Sequence, residues 1–235
     1  MVRVGVQLPG DFDDAAEYLV DARALEAAGA DSLWIDRASP PSPHDPWMLT
    51  AAVAAVTGRV RLAVEVQPTA APPLPVFTQR LKTLHRLSRG RTILKIAPAA
   101  PTQLIRPDQL VAAAREAARF PVMLEVAGGG EIGDGPAARL VDGFVYRETT
   151  RETIRVARQR TLDLGGEGEP RGEVPVEFWI YVGAPDSREA WRQALGICQE
   201  AGATGVIVPF GPRLLDLLRR PDEEDDRSDL LVAQG

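Results

Sequence analysis

The chain has 235 residues, 45% of them hydrophobic, enough to bury one sizeable core and near the size at which an α/β barrel runs as a single domain. Its formal net charge of −6 argues against a nucleic-acid groove or an anionic membrane surface as partner, since both demand clustered Lys and Arg; a small molecule is the expected ligand. The single cysteine, Cys198, excludes an intrachain disulfide framework or a cysteine-based metal site and favours a reducing cytoplasm, and no apolar run reaches the roughly eighteen residues of a membrane span.

Apolar runs and helical periodicity alternate from the first residues onward. The opening RVGVQL, closed by Pro9-Gly10, reads as a strand and turn, too short for the apolar core of a signal peptide. Helical spacing follows over 15–28, with Gly29 as a left-handed cap, and then the strand SLWID. Asp45 is placed as N-cap, with Pro46 at the first helical position, ahead of a helix over 47–56. The strand VRLAVEV, a helix over 76–87, TILKIA, a helix over 109–119 and VMLEV continue the pattern. A short helix at 137–140, the strand DGFVY and a helix over 152–164 come next. After VEFWIYV, Ser187 caps a helix over 188–201 that ends at Gly202, and GVIVPF with a helix over 213–220 completes the series. Eight strands in strict alternation with helices predict a parallel sheet closed into a single (β/α)8 TIM-type barrel with short loops over 1–220. The acidic segment 221–235, with its PDEEDDRSD run, reads as a solvated, disordered tail.

Strand alternation carries further information. One face is uniformly apolar, as in Val2, Val4, Val6 and Leu8 or in Leu62, Val64 and Val66, and is expected to pack on the helices. The other then points into the barrel and carries Arg3, Gln7, Trp34, Asp36, Arg61, Glu65, Gln67, Lys95, Glu125, Glu177, Trp179 and Tyr181, which predicts a polar interior. Buried charges persist only when paired, so these groups must meet one another or a ligand. Arg3, Arg61 and Glu177 stand near strand starts, whereas Asp36, Glu65, Lys95 and Glu125 stand near the carboxyl ends, where barrel enzymes keep their chemistry.

Glu65, Lys95 and Glu125 occupy similar depths on three successive strands and predict a Glu-Lys-Glu row. Such a row either fills the barrel with paired charge or sets the protonation of a lysine that orients a bound ring or moves a proton. The run Gly128-Gly129-Gly130 after the fifth strand offers either a flexible turn or bare N–H groups that cradle a phosphate. His44 reads as part of the loop before the Asp45 cap, and His85 as an exposed residue near a helix end. Trp179 and Tyr181 fill the barrel or stack on a ring system, and two histidines among interleaved acids and bases make no metal site.

Between Glu26 and Arg91 three stretches stand in order: EAAGADSLWIDR, HDPWMLTAAVAAVTGRVRLAVEV and PVFTQRLKTLHRLSRGRTIL. An Asp-Pro-entered helix closing on Ala-x-x-Thr-x-Arg, and a second helix ending in Leu-Ser-x-Gly-Arg, resemble the luciferase-like monooxygenase family. AGGG and VDGFVY resemble later landmarks, so the likeness covers roughly residues 1–146. The resemblance implies an oxidoreductase that binds FMN or a deazaflavin coenzyme at the carboxyl end of the barrel, with Asp36 and Glu65 near the ring and Gly128, Gly129 and Gly130 near the phosphate. It also implies a homodimer. Three departures run against it: Asp36-Arg37 where Asp-His is common, Leu94-Lys95-Ile96-Ala97 in place of Leu-Gly-x-Gly, and a lid region shortened to about two dozen residues between Ala97 and Pro121. These features leave open a catalytically silent barrel without cofactor, acting as a binding or scaffold protein. A third reading is an unrelated barrel with Lys95 as an amine nucleophile.

Overall fold

The computed structural model describes residues 2–36, 43–98, 105–126, 136–147, 154–156, 158–159 and 176–219. Eight strands, β1 (Arg3–Gln7), β2 (Ser32–Ile35), β3 (Arg61–Val66), β4 (Thr92–Ile96), β5 (Val122–Val126), β6 (Gly143–Tyr146), β7 (Glu177–Tyr181) and β8 (Gly205–Pro209), pair in chain order and close into a barrel. Every pairing is parallel, including β1 with β8, so the TIM-type barrel expected from strand and helix alternation is the fold.

Around it lie α1 (Ala15–Ala27), α2 (Pro46–Val56), α3 (Leu74–Leu87), α4 (Pro107–Ala117), a short 3-10 helix (Pro136–Arg139), α5 (Arg188–Glu200) and α6 (Leu214–Arg219). Residues 154–156 and 158–159 are helical; the remainder of the helix expected over 152–164 lies outside the described residues, as does the tail 221–235. The expected caps form: Asp45 Oδ1 accepts from the N–H of Trp47 at 2.7 Å and of Met48 at 3.2 Å, and Ser187 Oγ accepts from Ala190 N–H at 3.1 Å. Gly29 and Gly202 close their helices at φ 98° and 71°. Helix α3 starts two residues ahead of the expected Val76, because prolines suit a first helical turn whose N–H groups have no partner. His85 is half-buried, not exposed; its ring packs 5.6 Å from Phe120 and Nδ1 is buried without a hydrogen bond among the described residues.

Strand parity divides the buried side chains as expected. Val6, Leu62, Val64, Leu94, Ile96, Val122 and Ile180 belong to the core between strands and helices, whereas Trp34, Ala63, Ile93, Met123, Val145, Trp179, Tyr181 and Ile207 form a separate cluster within the barrel. The polar interior is therefore layered. Arg3 and Arg61 each hold Glu177 at 3.1 Å at the amino end, the apolar cluster forms the middle, and the acidic and basic groups of the strand ends form the carboxyl mouth. Two glycines make room for the large rings: a Cβ at Gly5 would overlap Trp34, and one at Gly205 would overlap Trp179.

The segment that carried the family resemblance has a structural task at the opposite end from the mouth. Glu26 accepts from the backbone N–H of Gly58, Arg59 and Val60 at 2.9, 2.6 and 2.8 Å. From the other side Arg91 donates to the carbonyls of Ala54, Thr57 and Val60 at 3.2, 3.0 and 2.7 Å. The α2–β3 turn is thus clamped between a carboxylate and a guanidinium that satisfy its backbone groups. Burial raises the Glu26 pKa, but those N–H groups and Arg91 outweigh it and hold the carboxyl below its ordinary value. The positive φ of Arg89 (55°) and Gly90 (82°) turns the chain so that Arg91 reaches this position.

Candidate active site at the carboxyl end of the barrel

Four strands deliver the row read from the sequence. Glu65 of β3 stands opposite Lys95 of β4 in the ladder, Glu125 comes from β5, and Asp36 follows directly on β2. All four meet. The Lys95 ammonium, with no exposed surface, lies 2.9 Å from Asp36 Oδ2, 3.0 Å from Glu65 Oε2 and 2.5 Å from Glu125 Oε2. It also donates to the Tyr181 hydroxyl at 3.1 Å, and that hydroxyl in turn donates to Asp36 Oδ2.

Arg147 completes the cluster. Its Nε donates to Glu125 Oε1, its Nη2 lies 3.5 Å from Asp36 Oδ2, and its guanidinium stacks 4.1 Å from the centroid of the Tyr181 ring. Gln7 donates to Asp36 Oδ2 at 3.2 Å and Gln67 to Glu65 Oε1 at 3.3 Å. Three carboxylates thus face two cations, leaving one formal negative charge beside a neutral phenol. Burial alone would drive Lys95 toward its neutral form; Asp36, then Tyr181, Glu125 and Glu65 reverse this and raise its pKa well above the ordinary value. Burial and then Asp36 push the Tyr181 phenol up against the opposing Lys95 and Arg147. A lysine held as ammonium by three carboxylates has no free lone pair, which weighs against the amine-nucleophile reading.

The hydrogen bonds on Asp36 are lopsided. Oδ2 takes those from Tyr181 and Gln7 and the contacts with Lys95 and Arg147, while Oδ1 is buried and accepts none among the described residues. A buried carboxylate oxygen without a donor is costly; because the Asp36 side chain has no exposed surface, a bound N–H or O–H group at the mouth would satisfy it only by displacing what covers it. Sequence reasoning passed over Arg147, although the signal was present: continuing the inward parity of Val145 by two residues reaches it. Tyr181 was assigned to the interior but given an aromatic task, whereas its hydroxyl is what joins Asp36 to Lys95. Arg37 and the glycines Gly128, Gly129 and Gly130 lie outside the described residues.

The pattern of the luciferase-like monooxygenase family matches residues 2–125, more than half of the chain. The chain belongs to this family. Luciferase-like barrels are also among its structural neighbours. The coenzyme F420 dependent tetrahydromethanopterin reductase from Methanopyrus kandleri superposes with a TM-score of 0.68 at 12% identity, over 95% of this chain and 98% of that one. An F420-dependent secondary alcohol dehydrogenase, in complex with an F420-acetone adduct, gives 0.70 at 12% identity over 88% and 93%. The oxygenating constituent of 3,6-diketocamphane monooxygenase from the CAM plasmid of Pseudomonas putida, in complex with FMN, gives 0.56 at 15% identity over 85% and 74%. At these identities the likeness is one of fold. Among the described residues no helix is long and apolar enough to cross a membrane, and no group of three or more His, Cys, Asp or Glu is placed to hold a metal ion.

Proposed function

We propose that the chain is an oxidoreductase of the luciferase-like class that binds FMN or a deazaflavin coenzyme at the carboxyl mouth and acts on a small-molecule substrate in the cytoplasm. The observation that carries this reading is the buried, unpartnered Oδ1 of Asp36 at the top of the barrel. The rings of both coenzymes carry an imide N–H, the donor this oxygen lacks, and neighbours of the same fold are described with F420 or FMN. When bound, the ring supplies the redox chemistry. Asp36 fixes its orientation; Lys95 and Arg147 hold the carboxylates of Asp36, Glu65 and Glu125 in place and keep their charge balanced. The apolar layer beneath keeps water from entering through the barrel. Gly128, Gly129 and Gly130 are proposed as the phosphate cradle, and a second copy of the chain as the cover that the short lid region does not provide.

The test is direct: look for yellow colour in the purified protein, then titrate FMN and the deazaflavin and follow ligand fluorescence. Saturable binding of one supports the reading; binding of neither rejects it. One observation favours a second reading, a silent barrel that binds or scaffolds. The Lys95 ammonium already satisfies itself with four protein groups, as a purely structural plug would. In that case Lys95→Met would open the mouth and improve flavin affinity; in the first reading it would weaken it.

A further inference from the structure

Beside the mouth a cleft of about 270 Å³ opens between the end of β3 and the helices α2 and α3. Its walls include Trp47, Pro46 and Pro72, and its polar groups are His44, Asp45, Glu65, Gln67 and Arg80. This is a concave site just below the usual size range of small-ligand pockets, with an aromatic wall and a few polar groups.

Its charges are unequally committed. Asp45 is engaged with the N-terminus of α2, and Glu65 with Lys95 at 3.0 Å and Gln67 at 3.3 Å. Arg80, on α3, forms no hydrogen bond or ion pair among the described residues. A ligand that is only an anion would be drawn to Arg80 but would also face the carboxylates of Glu65 and Asp45. One that is only a cation would face Arg80. The arrangement suits a molecule bearing both charges, its anionic end on Arg80 and its cationic end toward Glu65, which the cleft shares with the negatively charged mouth cluster.

We propose that this cleft binds a small amphoteric acid, an amino acid in the broad sense, with its carboxylate on the Arg80 guanidinium and its ammonium at Glu65 and Gln67. The cleft is formed by the chain alone and needs no flavin or deazaflavin at the mouth. If one does, the ammonium end of this ligand is the end presented to it through Glu65.

The experiment is isothermal titration of the full chain, without added coenzyme, using three probes: 6-aminohexanoate, hexanoate and hexylamine. The amphoteric probe is expected to bind at least about tenfold more tightly than either one-ended probe, the factor that one good ionic contact of about 1.4 kcal/mol provides. Arg80→Gln changes an exposed side chain outside the mouth cluster; it is expected to reduce 6-aminohexanoate to the level of hexylamine, with Arg80→Lys restoring most of the loss. The indole N–H resonance of Trp47, identified by its absence in Trp47→Phe, should shift on titration. Equal affinity for all three probes, no binding of 6-aminohexanoate, or an unchanged affinity in Arg80→Gln each overturns the proposal. A flavin titration that fails while these results hold would reject the oxidoreductase reading alone.

Discussion

Replacing Lys95 by Met shortens the side chain by one atom, keeps most of its volume and removes the charge to which Asp36, Glu65 and Glu125 are all paired, at 2.9, 3.0 and 2.5 Å. The cluster then holds three carboxylates against Arg147 alone, and its formal charge changes from −1 to −2. Because Lys95 has no exposed surface, water cannot replace the lost ammonium, and the loss should fall in the range of about 3–5 kcal/mol typical of a broken buried pair. For a chain of this size that is roughly 6–20 °C in melting temperature. The sign with pH follows from protonation. In the native protein the Lys95 pKa is raised, so its stabilising charge is complete below about pH 10 and is lost only as pH rises through the folded value. Since that charge is complete at both pH 5.5 and pH 8, Lys95→Met should be less stable than the native protein at both. Urea denaturation of both proteins at the two pH values measures this, and adding Glu125→Gln to Lys95→Met should recover part of the loss. Unchanged stability at both pH values would refute the assignment of Lys95 to the barrel interior.

Three further outcomes are expected. Tyr181→Phe deletes the hydroxyl between Lys95 and Asp36 and should cost about 1–3 kcal/mol in chemical denaturation; its ultraviolet titration difference from the native protein should show no phenolate step near pH 10, because the Tyr181 pKa lies well above that of a free phenol. Glu26→Gln should lower stability by about 2 kcal/mol near neutral pH, by weakening the bonds to three backbone N–H groups. Since the folded pKa of Glu26 is depressed, its contribution is present above the ordinary carboxylate range and lost as pH falls through the folded value, so the native-minus-variant difference should shrink in acid. Gly205→Ala places a methyl group against the Trp179 ring and should destabilise by about 1–3 kcal/mol, visible as a lower melting temperature, whereas Gly58→Ala, which meets nothing, should not show that overpacking loss.

The barrel was legible because its signals are periodic and local. A two-residue alternation placed Asp36, Glu65, Lys95 and Glu125 on inward positions, and closure brings positions of similar depth together whatever the loops do. The apolar middle layer was legible only in part, since Ala63, Ile93, Met123, Val145 and Ile207 sit inside runs whose two faces are both hydrophobic. Arg147 was missed because it falls one residue beyond β6, where an apolar run stops marking the strand. The uneven hydrogen bonding of Asp36 could not be read at all, because it depends on how side chains from β1, β4, β6 and β7 converge. Conversely, within the segment that carries the family resemblance, Glu26 and Arg91 at its two ends hold a turn at the amino end and take no part in the mouth cluster. Recognising a family and locating its chemistry therefore drew on different parts of the chain.

The most direct test of the functional account is a paired titration of FMN and the deazaflavin into the native protein and into Arg147→Met. Arg147 is partly exposed and covers the cluster at Glu125, Asp36 and Tyr181. Saturable binding of one coenzyme to the native protein is expected, with at least about tenfold weaker binding to the variant and a smaller loss of melting temperature than in Lys95→Met, because water reaches the place of the Arg147 side chain. Failure of both coenzymes to bind, or binding indifferent to Arg147, would contradict the account.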